Sequence, residues 1–152
     1  MWLISQTLCY YNFAMNIYFD IDGVILTKEW KPAPHLKEFL TYFIERYPVY
    51  WLTTHCKADA NRAVSYLETS LDKETLDLVK KIKPTNWSYS KTEAINFKEE
   101  FIWFDDYIFE FEKEQLKKNN SLNSWIRVDL RENPNHLRDI LELFKDHSKI
   151  TS

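Results

Sequence analysis

Glycine is all but missing from this chain. Gly23 is the single one in 152 residues, where ordinary usage of about 7% would place roughly ten. A sequence this poor in glycine retains one where the backbone needs a conformation, or a close approach, that a Cβ would block. Cysteine is nearly as scarce, with only Cys9 and Cys56. Two thiols so far apart make no disulfide framework and fit a reducing, cytoplasmic setting. No run approaches the roughly 20 apolar residues of a membrane span. An excess of basic charge is lacking too: the net charge is -3. That argues against a strong sequence-independent grip on nucleic acid, while leaving room for a local basic groove. Residues 1–14 have no positive n-region and no long apolar core, so they do not read as a signal peptide. With Met15 directly before the first strong strand, 1–14 read as a loosely attached extension or an upstream start. Residues 148–152 read as a short C-terminal tail.

What remains is ordinary in amount and ordered in pattern. Hydrophobic residues make up 45% of the chain, aromatics 16% and charged residues 28%, which fits one compact domain over residues 15–147. Short apolar runs at 16–20 (NIYFD), 49–53 (VYWLT), 101–105 (FIWFD) and 125–130 read as buried parallel strands. Between them, 35–47 has helical spacing through Leu36, Phe39, Leu40, Phe43 and Ile44, bracketed by Pro34 and Pro48. Further helices are expected at 58–71 and 73–82, with a short one at 91–97. A last helix opens at Asn133-Pro134, with Asn as N-cap and Pro at N1, and runs through Phe144. Alternating strands and helices mean an α/β fold, three layers deep and Rossmann-like, with a central parallel sheet. In such sheets ligands sit at the carboxyl ends of the strands.

Residues suited to chemistry fall at those ends. Asp20-Ile21-Asp22-Gly23 follows the first strand, and residues i and i+2 of extended chain project to one side. Such a pair can supply a nucleophile and an acid/base together; it also suits a plain β-turn. Thr53 and Thr54 end the second strand, where a hydroxyl can bind a phosphate oxygen or cap the next helix. Asp105 and Asp106 end the third, and two acids leaving an apolar strand need pairing, water or a metal. Lys91 precedes that strand and by itself reads as a solvated surface residue.

Taken in order, these residues resemble the four motifs of haloacid-dehalogenase-superfamily phosphatases. The resemblance spans residues 16–144 and implies that Asp20 attacks phosphorus to form an aspartyl-phosphate. Asp22 would protonate the leaving oxygen and then activate water. Thr53, or else Thr54, would bind phosphate, and Lys91 would offset charge at Asp20. Mg²⁺ would be held by the Asp20 carboxylate, the Asp22 backbone carbonyl, Asp105 and, through water, Asp106. Superfamily dehalogenases generally lack the second Asp, so Asp22 favours phosphoryl transfer. The gaps between motifs leave room for only a minimal cap.

The stretches WLTTHCKADANRAVSYL, FIWFDDY and WIRVDLRENPNHLRDILELF are also similar to the small domain of this superfamily found in Swiss Army Knife RNA repair proteins. His55 stands where those relatives often have a second Trp, and Leu130 where they have Pro. That likeness implies a phosphorylated substrate such as an RNA or DNA end or a nucleotide. Gly23 would allow close approach; Trp30, in the loop after the first motif, could stack on a base or pack beneath the loop. Arg62 could reach substrate phosphate or make a surface ion pair. His55-Cys56 and Arg62 also fit H-C-x₅-R, the cysteine-phosphatase signature, but without its glycines and with Ala63 after the Arg. Cys56 and Arg62 are thus an alternative nucleophile and phosphate clamp, and a non-catalytic scaffold for a phosphorylated ligand is another.

Overall fold

Alternation along two strands decides the architecture. In β1 (Met15–Phe19), Ile17 and Phe19 enter one apolar cluster while Tyr18 enters another. β3 (Glu100–Asp105) repeats the division, with Ile102 and Phe104 on the first side and Phe101 and Trp103 on the second. Successive side chains of a strand point to opposite faces, so a strand apolar throughout must be covered on both. This computed structural model describes residues 15–151, with side chains as far as 147. The expected extension at 1–14 lies outside the described residues.

β2 (Val49–Trp51) and β4 (Trp125–Arg127) complete a four-stranded, all-parallel sheet in the order β2-β1-β3-β4. Phe19 sits level with Trp51 on one side and Phe104 on the other. One face is covered by α1 (Leu36–Arg46), α2 (Ala60–Leu67), α3 (Lys73–Val79) and α5 (His136–Thr151). The other is covered by α4 (Glu110–Lys118) and a 3₁₀ turn at Lys91–Ala94. The expected α/β fold with a parallel sheet and helices on both faces is therefore present. Among the described residues, no helix is long and apolar enough to cross a membrane.

α1 buries Leu36, Phe39, Leu40 and Phe43, and α5 buries Leu137, Ile140, Leu141 and Phe144. Both sets follow the i, i+3, i+4, i+7 spacing of a helix with one apolar stripe. They meet at Phe43, whose ring centroid lies 4.9 Å from those of Phe39 and Phe144 and 5.3 Å from that of Phe104.

Several elements end earlier, or begin later, than the apolar runs suggest, and each has a local cause. β2 stops at Trp51 because the Thr53 hydroxyl oxygen accepts the His55 N–H at 3.3 Å, turning the chain out of the ladder. α2 starts at Ala60, after left-handed Lys57 and Ala58 (φ 42° and 70°), with Asp59 as its N-cap. α3 ends at Val79 because Lys83 returns to the edge of β2, exchanging hydrogen bonds with Val49 and Trp51. The turn at Lys91 stops at Ala94 rather than continuing to 97. β4 ends at Arg127, beyond which the Asp129 N–H donates to His136 Nδ1 and its carboxylate accepts the Glu132 N–H. Asn133 accepts the Asn135 N–H one turn ahead of α5, which begins at His136.

Truncating the ring at the junction of α1, α5 and the sheet is the direct test of this core. Phe43→Ala should cost about 3–5 kcal/mol in urea unfolding, the range for a large buried aromatic. A loss below about 1 kcal/mol would show that the core collapses around the gap and does not depend on this ring.

Candidate functional site

From β1 the chain moves outward to β2 and then crosses back to β3 on the far side of β1. The connections therefore diverge at the carboxyl ends of β1 and β3, the place where an open parallel sheet leaves a crevice. Asp20 follows β1 and Asp105 closes β3, and the Asp20 N–H donates to the Phe104 carbonyl at 3.0 Å. Asp20, Asp105 and Asp106 each offer a carboxylate oxygen within 4.8 Å of the others. Asp20 and Asp105 are buried, Asp105 almost completely.

Lys91 lies between them, with Nζ 2.7 Å from Asp105 Oδ2 and 3.4 Å from Asp20 Oδ1. Burial pulls its pKa down, but the Asp20 and Asp105 charges outweigh that and push it up to about 12. Burial raises the Asp105 carboxyl well above the usual range, and the Asp20 charge adds to the effect while Lys91 opposes it. The crowded carboxylates thus carry more negative charge than one ammonium relieves. Three carboxylates and no sulfur or imidazole make a donor set for a hard, oxygen-seeking cation, and the residues fit one.

Local structure explains how Lys91 reaches the carboxylates. Ser90 caps the 3₁₀ turn by accepting the Thr92 N–H, and Glu93 reaches back to the Ser90 N–H. Glu112 is buried on α4, where its two oxygens accept the Lys91 and Phe109 N–H groups at 3.3 and 3.0 Å. Gly23 has φ 84°, and a Cβ there would lie 2.5 Å from Asp106 Cγ. The one glycine is needed both for its left-handed backbone and for the Asp106 side chain above it. Asp106 Oδ2 also meets Lys28 Nζ at 3.1 Å.

The Asp22 carboxylate stands apart from this cluster. Its Oδ2 lies 2.9 Å from His55 Nε2, and its Oδ1 accepts the Tyr66 hydroxyl at 2.8 Å. The His55 and Tyr66 rings are stacked 3.7 Å apart at 11°, so the two donors form one rigid clamp. Burial and the Asp22 partner raise the Tyr66 phenol, opposed by a hydrogen bond from the Trp30 side chain. In the sequence His55 is only a departure from the family pattern, and the residue types of Tyr66, Lys28 and Glu112 carry no local signal that singles them out.

The remaining candidates divide. Thr53 is buried, and its hydroxyl oxygen accepts the His55 N–H while keeping its own proton to donate. Thr54 is exposed, and so is Arg62, which makes no ion pair among the described residues. Trp30 is 66% exposed at φ 56° and does not pack beneath its loop. Cys56 is buried in the main core, where burial pushes its thiol up, against formation of a thiolate nucleophile. A pocket of about 600 Å³ opens beside Asp106, its wall carrying Lys28, Arg127 and Arg131 together with Glu29, Asp106 and Asp129.

No family model, curated protein or solved structure matches this chain.

The ion triad makes a pH-dependent prediction. A lysine raised from 10.5 to about 12 contributes its stability in full below pH 10.5, and that contribution is lost as pH climbs toward 12. Lys91→Met leaves buried carboxylates without their cation and should cost about 3–5 kcal/mol near neutral pH. Denaturant unfolding should show the deficit narrowing as pH rises toward that upper limit. A deficit that stays constant would assign the loss to packing instead.

Proposed function

We propose that this protein is a Mg²⁺-dependent phosphomonoesterase of the haloacid-dehalogenase type, with Asp20 as nucleophile. One arrangement supports the reading: Asp20, Asp105 and Asp106 converge at the sheet's switch point with Lys91 bridging the first two. Buried carboxylates drawn so close cost free energy unless a further cation joins Lys91 in offsetting them.

In this reading an Asp20 oxygen attacks phosphorus in line as the bond to the leaving oxygen breaks. Asp22 gives that oxygen its proton. Asp22 then takes a proton from water, which attacks the aspartyl-phosphate and frees both Asp20 and inorganic phosphate. Lys91 offsets charge at Asp20, and the Thr53 hydroxyl donates to a phosphate oxygen. Asp20, Asp105, Asp106 and the Asp22 carbonyl would hold Mg²⁺, which when bound offsets the charge that phosphate brings. The His55–Tyr66 clamp sets the Asp22 carboxyl in one orientation, and positioning of this kind is a large part of phosphoryl-transfer catalysis. The adjoining pocket of about 600 Å³ has room for a leaving group of nucleotide size. The substrates on this reading are nucleotides or phosphorylated nucleic-acid ends.

Phosphate release from p-nitrophenyl phosphate and from nucleoside monophosphates tests the proposal. Asp20→Asn should lower kcat at least about a thousandfold, as loss of a nucleophile does, and chelation should stop turnover while thiol alkylation should not. Activity that survives Asp20→Asn or chelation would sink the reading.

A subtler expectation concerns the clamp. Tyr66→Phe should lower kcat for an alkyl phosphate about tenfold, a modest part of a general acid's usual contribution. It should barely affect p-nitrophenyl phosphate, whose leaving group departs without a proton. Equal losses on both substrates would shift the effect of Tyr66 to the water-activating step, and no loss on either would remove it from the proton's path.

A further inference from the structure

Two lysines meet the carboxylate cluster, and they do so on different terms. Lys91 reaches Asp20 and Asp105 with a side chain only 14% exposed, whereas Lys28 pairs with Asp106 Oδ2 at 3.1 Å and is 55% exposed. A buried ammonium between buried carboxylates is fixed, because breaking its pairs strands charge away from water. An exposed ammonium leaves its partner for water with little loss. Lys28 is thus the exchangeable positive charge of the cluster.

Its placement is nonetheless built into the fold, across 78 residues of chain. The turn that carries Lys28 is closed by Thr27, whose N–H donates to the Lys31 carbonyl at 2.8 Å and whose carbonyl accepts the Trp30 N–H at 3.0 Å. The Thr27 hydroxyl oxygen also accepts the Glu29 and Lys31 N–H groups, each at 3.3 Å. These four bonds fix the backbone around Lys28, so only its own side chain remains to be ordered when it pairs. On the other side, Asp106 lies over the Gly23 backbone, where a Cβ would come 2.5 Å from its Oδ2. The same carboxylate offers an oxygen within 4.8 Å of oxygens from Asp20 and Asp105.

We propose that Lys28 is a built-in competitor for the divalent cation: its ammonium and the cation draw on the same Asp106 carboxylate, so the pair sets how much cation fills the site. This role rests on the cation site of the phosphomonoesterase reading and not on the reaction itself. A dication draws on all three carboxylates at once and Lys28 on one, so the dication prevails as its concentration rises and Lys28 turns away. The released side chain lines a pocket that also carries Glu29 and Asp129, which keeps its charge beside the site. The coupling is reciprocal: the factor by which the cation weakens the pair is the factor by which the pair weakens the cation. A single exposed ion pair limits that factor to about fivefold.

Mn²⁺ binding to the full chain, read from the electron paramagnetic resonance of the free ion, tests the competition. Mn²⁺ is the probe because carboxylate sites take it as they take Mg²⁺. Lys28→Met should tighten binding roughly three- to fivefold, and Lys28→Arg, which keeps the charge, should stay near the wild type. Lys31→Met removes an exposed charge from the same turn and should shift affinity by less than about twofold, as a remote, screened charge does. Unchanged or weaker binding in Lys28→Met, or equal tightening by Lys31→Met, would overturn the competition. In a second arm, the Mg²⁺ concentration giving half-maximal phosphate release should fall in Lys28→Met by the same factor. Lys28-dependent Mn²⁺ binding without any phosphate release would sink only the hydrolase reading. Mg²⁺-dependent phosphate release with Lys28-independent Mn²⁺ binding would sink only the competitor role. No Mn²⁺ binding in either the wild type or Lys28→Met would overturn both.

Discussion

Two buried carboxylates held together by one lysine set the terms for everything around them. Asp20 and Asp105 repel each other in a place nearly without water, and Lys91 keeps that arrangement tolerable. Removing charge from water is expensive unless partners are close and well aligned. The structure accordingly restrains Lys91 from several directions. A capping box forms its turn, and a buried glutamate from α4 accepts its backbone N–H. That glutamate is itself tolerable because both of its oxygens accept backbone donors. Asp106 adds a third negative charge, and its side chain leaves room for nothing larger than glycine at position 23.

Rigidity reaches these groups from the core. Asp20 and Asp105 directly follow Phe19 and Phe104, two fully buried rings that stack 5.4 Å apart. The aromatic cluster of α1, α5 and the sheet thus holds the acids in place one residue away, as precise sites on regular elements require. Asp22, two residues beyond Asp20, escapes that grip and is oriented instead by His55 and Tyr66 from the other side of the crevice. Under the proposed hydrolase mechanism this would put the nucleophile on the strand end, where it stays aligned, and the acid/base on the clamp, where it exchanges protons.

Much of this was legible in the residues alone. The apolar runs mark all four strands, and the i, i+3, i+4, i+7 stripe marks α1. The scarcity of glycine singles out Gly23. Element ends were less legible because they depend on single side-chain-to-backbone hydrogen bonds. Thr53 at β2, Asp59 at α2 and Asn133 before α5 each redirect the chain by capturing one N–H. A serine, threonine or asparagine can do this or face solvent, and residue type does not say which. Trp30 illustrates the same limit: an apolar ring near a loop suggests packing, yet it is largely exposed.

The sequence by itself determined the kind of fold and the chemical types at its strand ends. Periods of 2.0 and 3.6 residues are local, so a strand buried on both faces or a one-sided helix is written into neighbouring positions. The tertiary structure alone decided which of those groups meet. Strand order brings Lys91 against Asp20 as well as Asp105, and it places His55 and Tyr66 on Asp22 across 33 and 44 residues. No local period encodes a separation of that length; it follows from how the sheet is wound. Glycine at position 23 lies on the boundary between the two. Its need for a special backbone was readable, but the carboxylate that fills the space above it belongs to residue 106 and comes from another strand.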